Sequence, residues 1–140
     1  MIPYSRQNIT SKDIKEVSKV LKSDFITQGP IIEKLEREIS NYCKARYASA
    51  LNSATSALHI ACLALGLKKN DILWTTPNSF VASANCGLYC GAKVSFVDID
   101  TTNYCMSLQS LEKKLIIAKK QKKLPKVIVP VHFAGYPMDI

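Results

Sequence analysis

The chain has 140 residues, of which 47% are hydrophobic and 21% are charged, a balance typical of a domain that buries a core. Wholesale disorder, a collagen-like repeat and a disulfide-bonded miniprotein are therefore excluded. The formal net charge is +8, but seven of the 19 basic residues fall in residues 112–126, called the lysine-rich segment below, which hold a single acid. The basic character is local.

The lysine-rich segment overlaps an amphipathic pattern whose apolar members are Leu108, Leu111, Leu115 and Ile116. This spacing predicts a helix with Lys113, Lys114 and the later lysines pointing to solvent. No aromatic residue is interleaved with the lysines, so we interpret the segment as a solvated surface rather than a nucleic-acid binding patch.

The five cysteines form no CxxC pair, and only two histidines are present. Zinc binding and a secreted disulfide framework are both unexpected on this count, and we predict no metal site. No apolar run approaches the roughly 18 residues of a membrane span, so we expect no membrane association and a reducing cytoplasm.

Two helices are predicted before any strand. Thr10 can cap the first, with Asp13 at its positive end, and the apolar residues Ile14, Val17 and Leu21 are expected to face inward. Pro30 suits the first turn of the second helix. Its inward residues are predicted to be Ile31, Leu35, Ile39 and Tyr42.

From residue 47 the pattern alternates between short apolar runs and helical stretches. Strands are predicted at 47–51, 72–75, 94–97 and 127–131, and helices at 57–65, 78–90 and 108–120. This alternation predicts an α/β fold with a parallel sheet flanked by helices. Because the last strand would leave an open sheet edge near Ile140, we expect the chain to be part of a longer protein.

Three loops at the carboxyl ends of the strands could bind ligands. The first, 52–56, resembles both an anion site at a helix N-terminus and an ordinary helix cap. The second places Phe80 where it could stack on a planar cofactor or fill the core. The third begins with His132, which could orient a ligand or could have a purely structural role.

Three further polar residues are given structural roles. Asp98 and Asp100 are interpreted as turn residues, and His59 is interpreted as a structural residue of its helix.

The best-marked nucleotide and hydrolase motifs are missing. The chain contains no GxGxxG, GxxxxGK[ST], GxSxG or HExxH. The absence of these motifs argues against four enzyme classes: dehydrogenases, P-loop NTPases, serine hydrolases and zincins.

Five segments in order resemble the N-terminal part of the DegT/DnrJ/StrS sugar aminotransferases, which are fold-type I enzymes. They are ITQGP at 26–30, NSATSALHIA at 52–61, TTPNSFVASAN at 75–85, GAKVSFVDID at 91–100 and PVHFAGYPMD at 130–139. The resemblance implies the N-terminal part of a fold-type I large domain, with an arm and substrate loop at 1–30 and an incomplete cofactor-binding domain at 31–140. It also implies pyridoxal 5′-phosphate as the cofactor.

The resemblance assigns roles to individual positions. Ala54 and Thr55 would hold the cofactor phosphate, Phe80 would stack on its ring, and Asn85 would lie nearby. The residues that would line the nucleotide-sugar pocket are Tyr4, Ile26, Thr27 and Ser53.

The NSATSAL form most resembles members that aminate a UDP-linked 4-keto-6-deoxy sugar for pseudaminic acid type surface glycans. Glutamate would be the amino donor, and the full-length enzyme would be a cytoplasmic homodimer. The family's catalytic lysine and its aspartate would lie beyond Ile140, so residues 1–140 alone are expected to be inactive.

The alternative function is a non-catalytic, truncated binding or interaction module. A sensor-type or dehydratase-like relative that keeps the cofactor pocket is a third interpretation.

Overall fold

The computed structural model describes residues 6–139, which divide into two compact units. The first unit ends at Ala50 and the second begins at Leu51. The predicted division into an arm of residues 1–30 and a domain of residues 31–140 stays a prediction.

The first unit contains helices α1 (Ser11–Leu21) and α2 (Pro30–Tyr42). Thr10 caps α1 as predicted: the Asp13 backbone N–H donates to Thr10 Oγ1 at 3.4 Å, and the Thr10 N–H donates to the Asp13 carboxylate at 2.7 Å. Pro30 is the first residue of α2, where its missing N–H leaves no helical bond unmade. Both predicted helix starts are confirmed.

The predicted burial of the two apolar helix faces is wrong. Neither α1 nor α2 has a buried residue. The side chains expected inside are exposed: Ile14, Val17, Leu21, Ile31, Leu35, Ile39 and Tyr42. A 3.6-residue period shows that a helix has an apolar face, but it does not supply the surface that covers that face.

The predicted strand at 47–51 is also wrong, because these residues form no regular structure. The Ala50 backbone N–H donates to the Glu36 carboxylate at 2.8 Å, so a side chain takes the place of a neighbouring strand. Tyr47 and Leu51 are exposed.

The second unit has the order α3 (Ala54–Ala64), β1 (Ile72–Thr75), α4 (Ala82–Tyr89), β2 (Lys93–Phe96), α5 (Leu108–Lys120) and β3 (Val127–Ile128). The three strands are parallel in the order β2-β1-β3, with Leu73 opposite Val94 on one side and Val127 on the other. The predicted α/β fold with a parallel sheet between helices is confirmed, with three strands in place of four among the described residues.

The core lies on both faces of the central strand β1. Leu73 packs with Cys62 of α3 and Cys86 of α4, whereas Trp74 packs with Ala118 of α5 on the opposite face. Gly87 lets α4 approach the sheet, because a Cβ at this position would lie 3.1 Å from the Leu73 Cβ. Successive residues of one strand therefore organise two separate helical layers.

Helix α4 and strand β3 are both shorter than predicted, for local reasons. Helix α4 starts at Ala82 rather than near Asn78, because the Asn78 side chain donates to the Tyr104 carbonyl at 2.8 Å and belongs to the loop. Strand β3 ends at Ile128. Val129 still donates to the Trp74 carbonyl at 2.8 Å, but Pro130 has no N–H to continue the pairing.

Lys114 does not point to solvent as predicted. It is half-buried, with its Nζ 4.6 Å from the centre of the Trp74 ring and 2.7 Å from Ser95 Oγ, and it also donates to the Phe96 carbonyl. Burial lowers the pKa of this ammonium group. One lysine of α5 is thus a packing residue that joins the helix to β2.

No helix within residues 6–139 has the length and apolar character needed to cross a membrane. The same residues contain no group of three or more His, Cys, Asp or Glu side chains arranged to hold a metal ion.

Candidate functional site at the carboxyl edge of the sheet

The helices of the second unit start at the carboxyl edge of the sheet. Helices α4 and α5 follow the carboxyl ends of β1 and β2, and α3 ends just before the amino end of β1. Helices α3 and α4 also pack against each other. This topology places the N-termini of α3, α4 and α5 on the side where open parallel sheets bind ligands.

The loop at 52–56 forms the start of α3. Ser53 is the N-cap residue, and its Oγ accepts the Ser56 backbone N–H at 3.1 Å and lies 3.0 Å from Ser56 Oγ. The Ser53 carbonyl accepts the Ala57 N–H at 3.0 Å. The cap interpretation of this serine is confirmed.

The cap leaves the first two amides of α3 available. Within the described residues, the backbone N–H groups of Ala54 and Thr55 and the Thr55 hydroxyl donate no hydrogen bond. These groups stand at the positive end of an 11-residue helix. The start of α3 can therefore act as a helix cap and also bind an anion, because different groups serve the two purposes.

Phe80 lies two residues before the start of α4 and is 76% exposed. The interpretation of Phe80 as a core residue is therefore wrong. Its ring is free to stack on a flat molecule at the carboxyl edge, the same edge at which α3 starts.

The other predicted site residues lie further from the start of α3 along the chain or outside the described residues. Asn85 lies within α4, is half-buried, and its side chain makes no hydrogen bond within residues 6–139. Ile26 and Thr27 lie between α1 and α2 in the first unit and are both exposed. Tyr4 lies outside the described residues.

Three polar residues considered in the sequence analysis, His132, Asp100 and His59, each contact a partner elsewhere in the chain. His132 Nδ1 accepts the Met138 backbone N–H at 2.9 Å and so holds the turn after β3. Asp100 accepts the Thr102 hydroxyl at 2.5 Å and its N–H at 2.8 Å, which lowers the pKa of this carboxyl group. The His59 ring contacts the Tyr89 ring edge-on, with 5.3 Å between the ring centres.

The loops that follow β2 and β3 meet at the same edge. The rings of Tyr104 and Phe133 lie 5.8 Å apart, and both Tyr104 and Ala134 have left-handed backbone angles. Asn78 bonds to the Tyr104 carbonyl, so the loop after β1 joins the other two.

Sequence reasoning missed Thr76 as a candidate. This residue directly follows the central strand, is buried, and its hydroxyl has no hydrogen-bond partner within the described part of the chain. A buried hydroxyl without a partner is uncommon and marks the carboxyl end of β1 as a place with unmet polar capacity. The available signal was a threonine that immediately follows an apolar strand.

Comparison with known proteins identifies the family. Residues 7–140 match the sequence profile of the DegT/DnrJ/EryC1/StrS aminotransferase family. The chain is 39% identical over 140 residues to a UDP-4-amino-4,6-dideoxy-N-acetyl-beta-L-altrosamine transaminase of Campylobacter jejuni, covering all of this chain and 36% of that protein.

Solved structures of the family share the fold. A putative sugar aminotransferase from Streptococcus pneumoniae in its PLP form superposes with a TM-score of 0.85 at 32% identity, covering 99% of this chain and 34% of that one. The Helicobacter pylori aminotransferase PseC, involved in pseudaminic acid biosynthesis, gives a TM-score of 0.83 at 30% identity, covering 98% of this chain and 36% of that one.

The chain spans about a third of the length of the curated relatives it matches. The match nevertheless extends over nearly all of its own residues, and the predicted fold class, part of a fold-type I aminotransferase domain, agrees with the solved structures. The chain therefore belongs to the DegT/DnrJ/EryC1/StrS aminotransferase family.

Proposed function

We propose that this chain is the N-terminal part of a pyridoxal phosphate-dependent aminotransferase that moves an amino group from glutamate to a UDP-linked 4-keto-6-deoxy sugar. The family match and the altrosamine transaminases among its relatives support this substrate class. The proposal includes a cytoplasmic homodimer and a role in surface glycans of the pseudaminic acid type.

The start of α3 carries the proposal, because its groups fit a phosphate. The N–H groups of Ala54 and Thr55 and the Thr55 hydroxyl offer three donors without a partner in the described residues. The positive end of the helix dipole adds to the attraction of an anion. The short side chain of Ala54 leaves the backbone open to a tetrahedral group.

The exposed Phe80 ring supplies a flat apolar surface at the same edge of the sheet. Stacking on a pyridine ring would hold that ring parallel to Phe80 and exclude water from one of its faces. Asn85, five residues further along the chain and within α4, is proposed as a neighbour of the cofactor.

Pyridoxal phosphate, when bound, supplies an electron sink through which an amino group can be exchanged. The residues of this chain bind and orient: Ala54 and Thr55 fix the phosphate end, and Phe80 fixes the plane of the ring. Ile26, Thr27, Ser53 and Tyr4 are proposed to contact the nucleotide sugar. The Ser53 hydroxyl already bonds within its own cap, so it has limited capacity for a further contact.

A binding experiment tests the phosphate site without requiring catalysis. The probe is pyridoxamine 5′-phosphate, whose amine cannot condense with surface lysines. Ala54→Pro removes one N–H donor while retaining the helix, because proline is favoured at the first helical position and Ser53 already has the extended backbone required before proline. We expect the Kd to rise about tenfold, the value of one hydrogen bond to a charged group, about 1.5 kcal/mol.

Leu108→Pro is the matched control, since Leu108 is the first residue of α5 and the same change there leaves α3 untouched. Pyridoxamine without the phosphate should bind equally weakly to the unaltered chain and to Ala54→Pro. Phe80→Leu should weaken the binding of both pyridoxamine 5′-phosphate and pyridoxamine. The phosphate assignment is wrong if Ala54→Pro and Leu108→Pro bind pyridoxamine 5′-phosphate alike.

The substrate class is tested in the complete protein that contains this chain. We expect glutamate-dependent amination of a UDP-linked 4-keto-6-deoxy sugar, detected by mass spectrometry of the product. Amination of a keto acid with no reaction of the keto sugar would reject the sugar assignment while leaving the cofactor site intact.

A further inference from the structure

The amino edge of the sheet concentrates lysines from three different elements. Lys93 is the first residue of β2, and Lys126 precedes β3. Both are tied to the start of β1: the Lys93 N–H donates to the Asp71 carbonyl and the Lys126 N–H to the Ile72 carbonyl, each at 2.8 Å. Helix α5 runs back toward this edge and ends just before Lys122 and Lys123, because a crossover helix must return its chain to the start of the next parallel strand.

These four lysines line one cavity of about 420 Å³, which also includes the Asp71 side chain. A volume of this order lies within the range of small-molecule sites, about 300 to 1,000 Å³. The cavity is on the side of the sheet opposite the start of α3. It is therefore separate from the proposed cofactor site.

The positive charge in the cavity is mostly unpaired. Lys126 Nζ lies 3.3 Å from the Asp71 carboxylate and 2.5 Å from the Gly66 carbonyl, so it neutralises the acid. Within residues 6–139, the ammonium groups of Lys93, Lys122 and Lys123 form no ion pair or hydrogen bond. Three lysines whose ammonium groups have no partner in the described residues thus line one concave space.

The end of α5 alone does not account for this cluster. Lysines after a helix are favoured by the negative end of the helix dipole, which explains Lys122 and Lys123. It does not explain Lys93, which comes from a strand. Lys122 also has a left-handed backbone with φ of +55°, a conformation in which glycine or asparagine is the usual residue.

We propose that this lysine cavity binds an oligophosphate, meaning a molecule with at least two linked phosphate groups. Ammonium groups bind phosphate oxygens as point charges, and three of them around one space suit a chain of negative charges better than a single anion. The lysine-rich segment, interpreted from the sequence as a solvated surface, would then contribute Lys122 and Lys123 to a binding site.

Calorimetric titration with inorganic triphosphate tests the proposal on the chain as it stands. We expect saturable binding of one triphosphate per chain, stronger than that of inorganic phosphate and weakened by added salt. The double variant Lys122→Gln, Lys123→Gln should raise the Kd about tenfold or more, as expected from the loss of two charge contacts. The control Lys113→Gln, Lys120→Gln removes the same charge from α5 outside the cavity and should change the Kd less than twofold.

A second variant separates binding from folding. Lys122→Gly relieves the left-handed backbone, so this variant should be at least as stable as the parent chain while its Kd for triphosphate still rises. Ala54→Pro should leave triphosphate binding to the lysine cavity unchanged, which keeps this proposal distinguishable from the phosphate site of α3. The proposal is overturned if both double variants lose affinity equally, if Lys122→Gly binds like the parent chain, or if no saturable binding occurs.

Discussion

Cys62 lies in the layer between the sheet and α3, next to Cys86 of α4. Burial, assisted by the neighbouring Cys86 thiol, raises the pKa of the Cys62 thiol from 9.0 to about 11. The folded chain therefore keeps this proton at a pH where the unfolded chain releases it. The contribution of the Cys62 thiol to the free energy of unfolding is fully present below pH 9 and is lost as the pH rises toward 11.

We expect Cys62 to lower the free energy of unfolding by about 2 kcal/mol between pH 8 and pH 10.5, from the difference between its folded and unfolded pKa values. Urea unfolding under reducing conditions measures this loss. In Cys62→Ala the decrease should be shallower by that amount. In Cys43→Ala, which changes an exposed thiol, the decrease should be the same as in the parent chain. Equal slopes in the two variants would contradict the burial of Cys62.

At the level of elements, the contact between α4 and the sheet depends on Gly87. A Cβ here would lie 3.1 Å from the Leu73 Cβ and 3.2 Å from Val94 Cγ2, so the two further carbons of a valine have no room. Gly87→Val should lower the free energy of unfolding by about 1 to 3 kcal/mol, although valine is the better helix former. The single tryptophan, Trp74, is buried on β1 and reports unfolding by fluorescence.

Ala61→Val is the matched control for Gly87→Val, because Ala61 is exposed on α3. It should change stability by no more than about 0.5 kcal/mol. If the two variants unfold at the same urea concentration, the close approach at Gly87 is not limiting.

The elements that the sequence predicted well are those fixed by local chemistry. The Thr10 cap, Pro30 at the start of α2 and the full extent of α5 all follow from residues within one helix. The strand at 47–51 failed because an apolar run does not show whether a neighbour will pair with it, and here the Glu36 side chain bonds to Ala50 instead.

The same distinction applies to the candidate site. The loop at 52–56 was predicted because caps and helix ends have a sequence signature, and the structure adds which amides the cap leaves free. Thr76 and Lys114 were missed or misplaced because their surroundings come from distant parts of the chain. The contact of Lys114 with Trp74 spans 40 positions, and no short-range pattern records it.

Across the whole molecule, burial is distributed unevenly between the two units. Every buried residue in the described chain belongs to the second unit, and β1 and α4 hold many of them. Helices α1 and α2 have none. Because local opening is easiest where few side chains are buried, the two units should differ in the protection of their amides.

Hydrogen exchange followed by mass spectrometry measures this difference. We expect the slowest exchange in 72–75 and 82–89, and exchange at least about tenfold faster in α1 and α2, the factor that 1.4 kcal/mol of local stability produces. Amides in α2 that exchange as slowly as those of β1 would show that the apolar faces of the first unit are covered in solution.

The opposite orientations of Leu73 and Trp74 restrict how the gene can change in length. If one codon were lost or gained within β1, the strand could not compensate by sliding along its partners, since a shift of one residue would exchange its two faces. The indole would then meet Gly87, where even a methyl group is crowded. Length variation in this part of the chain should therefore be tolerated in the loops on either side and rejected within these four residues.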